Sequence, residues 1–175
     1  MTIEEKIAWA ETQFVTSKAW FFSDTVLTGL LEKFRSARAD CRFLMAEAGI
    51  IDICRRCEQE EGSCCGAGIE DRYDKWILLA NLLLGARLPR KRWKEDSCFF
   101  LGPWGCVLTA RHAICVNYLC KNITDEVEPD KIALLREREG KELELLFFIC
   151  ERLRKIIRKR GQQGRAGLTD SGRVL

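Results

Sequence analysis

Histidine is nearly absent from this sequence. His112 is the single one in 175 residues, so no Ser–His or Cys–His pair of the kind that activates a nucleophile is in view. A Gly-rich phosphate loop and a zinc-protease helix motif are missing as well, and hydrolase chemistry is not expected. Long apolar runs are also lacking. The longest, WILLANLLLGA over 76–86, falls well short of the roughly 20 residues that a membrane-spanning helix needs. The opening MTIEEKIAWAETQF has acidic residues where a signal peptide needs a basic region followed by an apolar one. The chain is therefore expected in the cytoplasm, with no membrane partner. Charge of one sign is not in excess either: the formal net charge is +3, too balanced to name a nucleic-acid or membrane partner from the total. No stretch alternates as a strand does.

What is present is helical periodicity and cysteine. An apolar content of 47% in 175 residues supports one domain with a real core, expected over 1–160, with a tail at 161–175 that has little to bury. Ile3, Ile7, Ala10 and Phe14 recur at helical spacing near the N-terminus. Ser23 is placed to cap a second helix, whose stripe Val26, Leu30, Phe34, Ala37, Cys41, Leu44 and Ala48 runs to Gly49, a left-handed stop. Pro129 suits a first helical turn, and Ile132, Leu135, Leu146, Ile149, Leu153 and Ile157 mark the last stripe before Gly161. Gly140 interrupts that pattern and suggests two helices with a hinge. One more helix, from about Tyr73 to Ala86, is apolar nearly all round and should be enclosed by the others. The expected fold is all-α, a helical bundle with a central cysteine-rich, metal-pinned irregular segment over 50–122.

Ten cysteines in a reducing compartment are more readily metal ligands or redox groups than disulfides. Cys41 and Cys150 lie on or beside apolar helical stripes and read as small core residues. The other eight, Cys54, Cys57, Cys64, Cys65, Cys98, Cys106, Cys115 and Cys120, fall within 67 residues. Cys54 and Cys57 form a C-x-x-C pair, the spacing at which two thiolates on a turn converge on one metal. Adjacent Cys64 and Cys65 point apart and do not both reach one tetrahedral zinc, so they serve different centres or one is spare. A structural zinc module shows two tight knuckles, whereas here a single knuckle is followed by gaps of seven, eight and four residues between Cys98, Cys106, Cys115 and Cys120. Iron–sulfur clusters tolerate such spacing because their ligands come from separate loops. An iron–sulfur cluster is the favoured cofactor, and zinc the alternative.

The ordered set Cys54, Cys57, Cys64, Cys65, Cys98, Leu101, Gly105, Cys106, Arg111, Cys115, Tyr118 and Cys120 resembles the YkgJ-like cysteine-cluster family. That family is described as zinc- or iron-chelating, or as iron–sulfur-containing, and the resemblance covers 54–120. It implies a metal-binding protein, and flagellin lysine methylases with a similar cluster show that relatives can be enzymes, although no methyl-donor site is evident here. Two departures stand out. Six residues separate Cys57 from Cys64, a longer gap than the family's, and His112 follows Arg111 where the family has proline. His112 is a candidate ligand or hydrogen-bonding neighbour. The basic segments 87–94 and 152–165 offer a surface for an acidic protein or nucleic acid, or else a solvated helix face. Two functional classes stay open: a small iron–sulfur protein with a redox or electron-transfer role, and a zinc-stabilised module that binds protein or nucleic acid through its basic face.

Overall fold

A computed structural model describes residues 1–60 and 64–169. The chain is mostly helical, with α1 Ile3–Ser23, α2 Thr25–Glu47, α3 Ile50–Glu60, a 3-10 turn at Ile69–Arg72, α4 Lys75–Leu83, α5 Ala113–Asn117, α6 Lys121–Glu126 and α7 Pro129–Thr169. Two two-residue strands, β1 Leu101–Gly102 and β2 Gly105–Cys106, pair antiparallel. No strand was expected there, because two residues are too few to show alternation. Among the described residues no helix is long and apolar enough to cross a membrane.

The long helices start where the sequence supplies caps. Thr2 and Glu5 form a reciprocal capping box on α1: the Thr2 backbone N–H donates to Glu5 Oε2 at 2.8 Å and the Glu5 N–H to Thr2 Oγ1 at 3.3 Å. The buried face of α1 is Ile3, Ile7, Ala10, Ser17 and Phe21, and Phe14 packs at its margin. Ser23 is not the cap of α2. It is the last residue of α1, its hydroxyl turned back to the Trp20 carbonyl, and Asp24 caps α2 by accepting the Leu27 N–H at 2.8 Å. The apolar stripe is rotated to match: Leu27, Leu31, Phe34 and Cys41 are buried, whereas Val26 is 53% exposed. Gly49, at φ 72°, supplies the expected left-handed break before α3.

The helix α7 packs along α2, and α4 is held between α1 and α7. The expected hinge at Gly140 is absent, because α7 continues unbroken through it. A Cβ at Gly140 would meet nothing within 4 Å, and the glycine costs the helix about 1 kcal/mol of propensity without breaking it. The helix also runs through Gly161 to Thr169, and residues 170–175 of the expected tail lie outside the described residues. Asp24, at the α1–α2 junction, is fastened to α7 by Arg152 through bonds of 3.0 and 2.6 Å.

Two apolar clusters result. The larger joins α1, α2, α4 and α7 with Phe99, Phe100, Leu108 and Ala110; the smaller gathers Cys41, Ile50, Ile53, Ile123, Val127 and Leu135 where α2, α3, α6 and the start of α7 meet. The cysteine-rich segment lies across both, with Cys65, Cys98 and Cys115 at the first and Cys57 and Cys120 at the second.

Candidate metal centre

Four pieces of chain deliver the eight cysteines. Cys54 and Cys57 lie on α3, on a helix and not on the turn expected of a C-x-x-C knuckle. Their i,i+3 spacing still puts them side by side on its surface. Cys64 and Cys65 follow in extended chain that pairs with the segment before β1: the Cys98 N–H donates to the Cys65 carbonyl at 2.7 Å, Gly66 bridges Ser97, and the Ala67 N–H donates to the Asp96 carbonyl. The gap between the knuckle and this pair includes residues 61–63, which lie outside the described residues. The hairpin then folds Cys106 back beside the Cys98 run, with Leu101 opposite Cys106 and the Val107 N–H on the Phe100 carbonyl at 2.9 Å. Gly105, at φ 100°, makes that reversal. Cys115 sits in α5, and Cys120 is the first residue before α6.

Buried and half-buried polar side chains hold these pieces in place. Glu70, 1% exposed, pairs with Arg92 and accepts the backbone N–H groups of Gly68 at 3.0 Å and Phe99 at 3.4 Å. Burial alone would raise its carboxyl, but Arg92 and the backbone donors outweigh that and hold it below the usual value. Asn81, fully buried in α4, clamps the next loop from both sides, with Nδ2 on the Ala110 carbonyl at 2.8 Å and Oδ1 accepting the Ala110 N–H at 2.9 Å. Arg136 of α7 donates to the carbonyls of Val116 and Asn117, at 3.0 and 2.5 Å, and so fixes the end of α5.

The thiols sense one another. For Cys54 the leading influence is desolvation, followed by the charges of Cys120, Cys57 and Cys65. Cys64 responds first to a side-chain bond with Cys65, then to desolvation and to Cys65, Cys54 and Cys120. Burial pushes Cys98 up to about 12, with Cys106 and Cys65 contributing. Cys106 in turn senses Cys65 and Cys115. By these influences the eight thiols fall into two neighbourhoods that share Cys65, one with Cys98, Cys106 and Cys115 and the other with Cys54, Cys57, Cys64 and Cys120. Cys64 and Cys65, expected to point apart, have side chains that are bonded to one another. None of the ten cysteines is in a disulfide.

Two sulfur atoms carry donors that the sequence did not single out. Tyr73, 1% exposed, points its hydroxyl at Cys115 Sγ at 3.5 Å, and Asn122 Nδ2 lies 3.1 Å from Cys57 Sγ. Both bonds span long sequence separations, so spacing cannot reveal them. A recess of about 310 Å³ lined by Ile53, Arg56, Cys57, Asn122 and Glu126 opens beside this second contact. His112 has a different task. Its Nδ1 accepts the Ile114 N–H at 3.2 Å as the cap of α5, and its ring rests on Tyr73. Desolvation lowers its pKa, which favours the neutral ring over the charged one.

The donor chemistry suits a soft metal, and the approach of the donors is only partial. Among the described residues no group of three or more Cys, His, Asp or Glu side chains is arranged to hold an ion. Five arginines of the basic segments take part in structural contacts. Arg90 pairs with Glu11 at 2.9 Å, Arg92 with Glu70, Arg152 with Asp24, and Arg154 with Asp74 and Glu151; Arg160 donates to Ser17 and Thr16. No family model, curated protein or solved structure matches this chain.

Proposed function

We propose that this chain is a metal-binding cysteine-cluster protein of the cytoplasm, with an iron–sulfur centre ligated from among Cys54, Cys57, Cys64, Cys65, Cys98, Cys106, Cys115 and Cys120 and a redox or electron-transfer role. The observation that carries the reading is that eight thiols from four separated pieces of chain lie within one another's electrostatic influence, with none in a disulfide. Thiolates delivered by separate loops suit the wide inorganic core of such a cluster. Closing the thiols onto it requires rotation of their side chains and adjustment of the loops that carry Cys64 and Cys106, both exposed. Tyr73 and Asn122 supply the hydrogen bonds to sulfur that tune such centres. The proposal accords with the resemblance to the YkgJ-like family.

The test is purification without oxygen, followed by iron, zinc and acid-labile sulfide analysis and an absorption spectrum. Brown protein with iron and sulfide, absorbing broadly near ~400 nm from thiolate-to-iron charge transfer, is the expected result. Colourless protein with stoichiometric zinc replaces the redox reading with the zinc-stabilised binding module.

A further inference from the structure

Arg111 is unusual among the arginines near the cysteines. Its Nε and Nη2 are buried and make no hydrogen bond among the described residues. Its charge is felt by Cys54, Cys106 and Cys115, drawn from both neighbourhoods of thiols, and by Glu139 and Arg38 of the bundle behind it. Each of the two buried carboxylates on that side faces another arginine, although Glu142 Oε2 and Arg38 Nη1 make no hydrogen bond among the described residues. Glu139 receives Arg136 at 2.8 Å, and Glu142 faces Arg38 at 3.6 Å. Three guanidinium groups, Arg38, Arg111 and Arg136, thus share a region with two carboxylates, and the charge of Arg111 also acts on the thiols of Cys54, Cys106 and Cys115.

Arg111 is also held there by its neighbours. Asn81 grips the preceding residue, Ala110, by both its N–H and its carbonyl inside the core, and His112 on the other side is fixed as the cap of α5. A guanidinium kept in a low-dielectric place with donors unsatisfied is costly unless an anion completes it. A neutral thiol is a weak acceptor, whereas metal-bound thiolate and bridging sulfide carry negative charge and accept charge-assisted bonds.

We propose that Arg111 is the counter-ion of an anionic metal–thiolate centre, a positioning residue whose unpaired N–H groups close on ligand or bridging sulfur when the centre is assembled. This rests on the metal-binding reading above and adds to it a charge requirement: the centre accepted here is one that carries net negative charge.

The experiment loads the full chain anaerobically with ferrous iron and sulfide. It compares wild type with Arg111→Met and Arg111→Lys for the rate of iron loss to an excess of chelator and for the reduction potential. Removing the cation should speed iron loss about 10- to 100-fold, the usual effect of losing an outer-shell partner, and should lower the potential, because a nearby positive charge favours the reduced, more negative form. Arg111→Lys should stay close to wild type on both readouts. Far-UV circular dichroism checks the fold, and Arg111→Gln takes the place of Arg111→Met if the latter does not fold. Equal behaviour of wild type and the neutral variants overturns the counter-ion and leaves the metal reading standing. Equal loss in the Met and Lys variants also overturns it, since shape and not charge is then what matters. A wild-type chain that takes up no iron removes the metal reading itself, and the counter-ion with it.

Discussion

Cys98 donates its backbone N–H to the carbonyl of Cys65 at 2.7 Å, so two cysteines 33 positions apart in sequence are joined main chain to main chain. Glu70 secures the same junction from behind by accepting the N–H groups of Gly68 and Phe99 while pairing with Arg92. Glu70→Ala should therefore cost about 1–3 kcal/mol, the range for leaving a buried donor without its acceptor. Denaturant unfolding measures the loss. Hydrogen exchange should show the amides of Gly68, Cys98 and Phe99 opening while those of α2 and α7 stay protected. A variant as stable as wild type would mean that the junction is held without the carboxylate.

The bond from Tyr73 to Cys115 can be tested without any metal. Burial raises the Cys115 thiol, and the tyrosine hydroxyl opposes that by favouring the thiolate. Tyr73→Phe keeps the ring and removes the donor. It should cost about 1 kcal/mol of stability, a typical single hydrogen bond, and shift the pH profile for alkylation of Cys115 upward. Mass spectrometry of alkylated peptides reads that shift, and an unmoved profile would count against the bond.

How much of this was legible in the sequence depends on how local each signal is. The α1 stripe, the break at Gly49, the helix start at Pro129 and the burial of α4 all follow from spacing and turn chemistry within a few residues. The α2 cap was misassigned between neighbours, since Ser23 and Asp24 are both good capping residues and only the extended backbone of Asp24, φ −85° and ψ 101°, decides between them. Gly140 marks a hinge by propensity alone, but α7 packs against α2 along its length and that contact overrides the weak local cost. In the candidate site the eight cysteines could be found by counting, whereas their supports could not. Asn81 sits inside an apolar run and is the one polar residue there with a partner in a distant loop, and Arg92 reads as surface charge until Glu70 is seen beneath it.

Cys41 and Cys150 are expected to be bystanders to the metal. Both are buried, at 0% and 6% exposure, and burial pushes each thiol up to about 12. Cys→Ala at either position should leave metal content unchanged and cost about 1 kcal/mol, the small end of core truncation. Their pH signature has a definite sign. An unfolded thiol ionises near pH 8.5, so the native chain binds more protons than the unfolded one between there and about 12. The stability these thiols contribute is complete below pH 8.5 and falls as pH rises, by up to about 1.4 kcal/mol per pH unit for each thiol. Urea titrations at pH 8 and 10 on metal-free wild type and on the double Cys→Ala variant check this. The double variant should lose less stability across the interval, and an identical loss would show that these thiols are not its source.

The central claim is that the thiols around Cys65 hold an iron–sulfur centre. Its most direct test is iron and acid-labile sulfide measured per chain after anaerobic purification, on wild type beside Cys65→Ser and Cys98→Ser. The account predicts iron and sulfide together in wild type and a loss of both in each variant, with the far-UV helical signal kept because α1, α2, α4 and α7 pack through their own apolar faces. Wild-type protein without iron, or iron and sulfide retained in full by both variants, would contradict it.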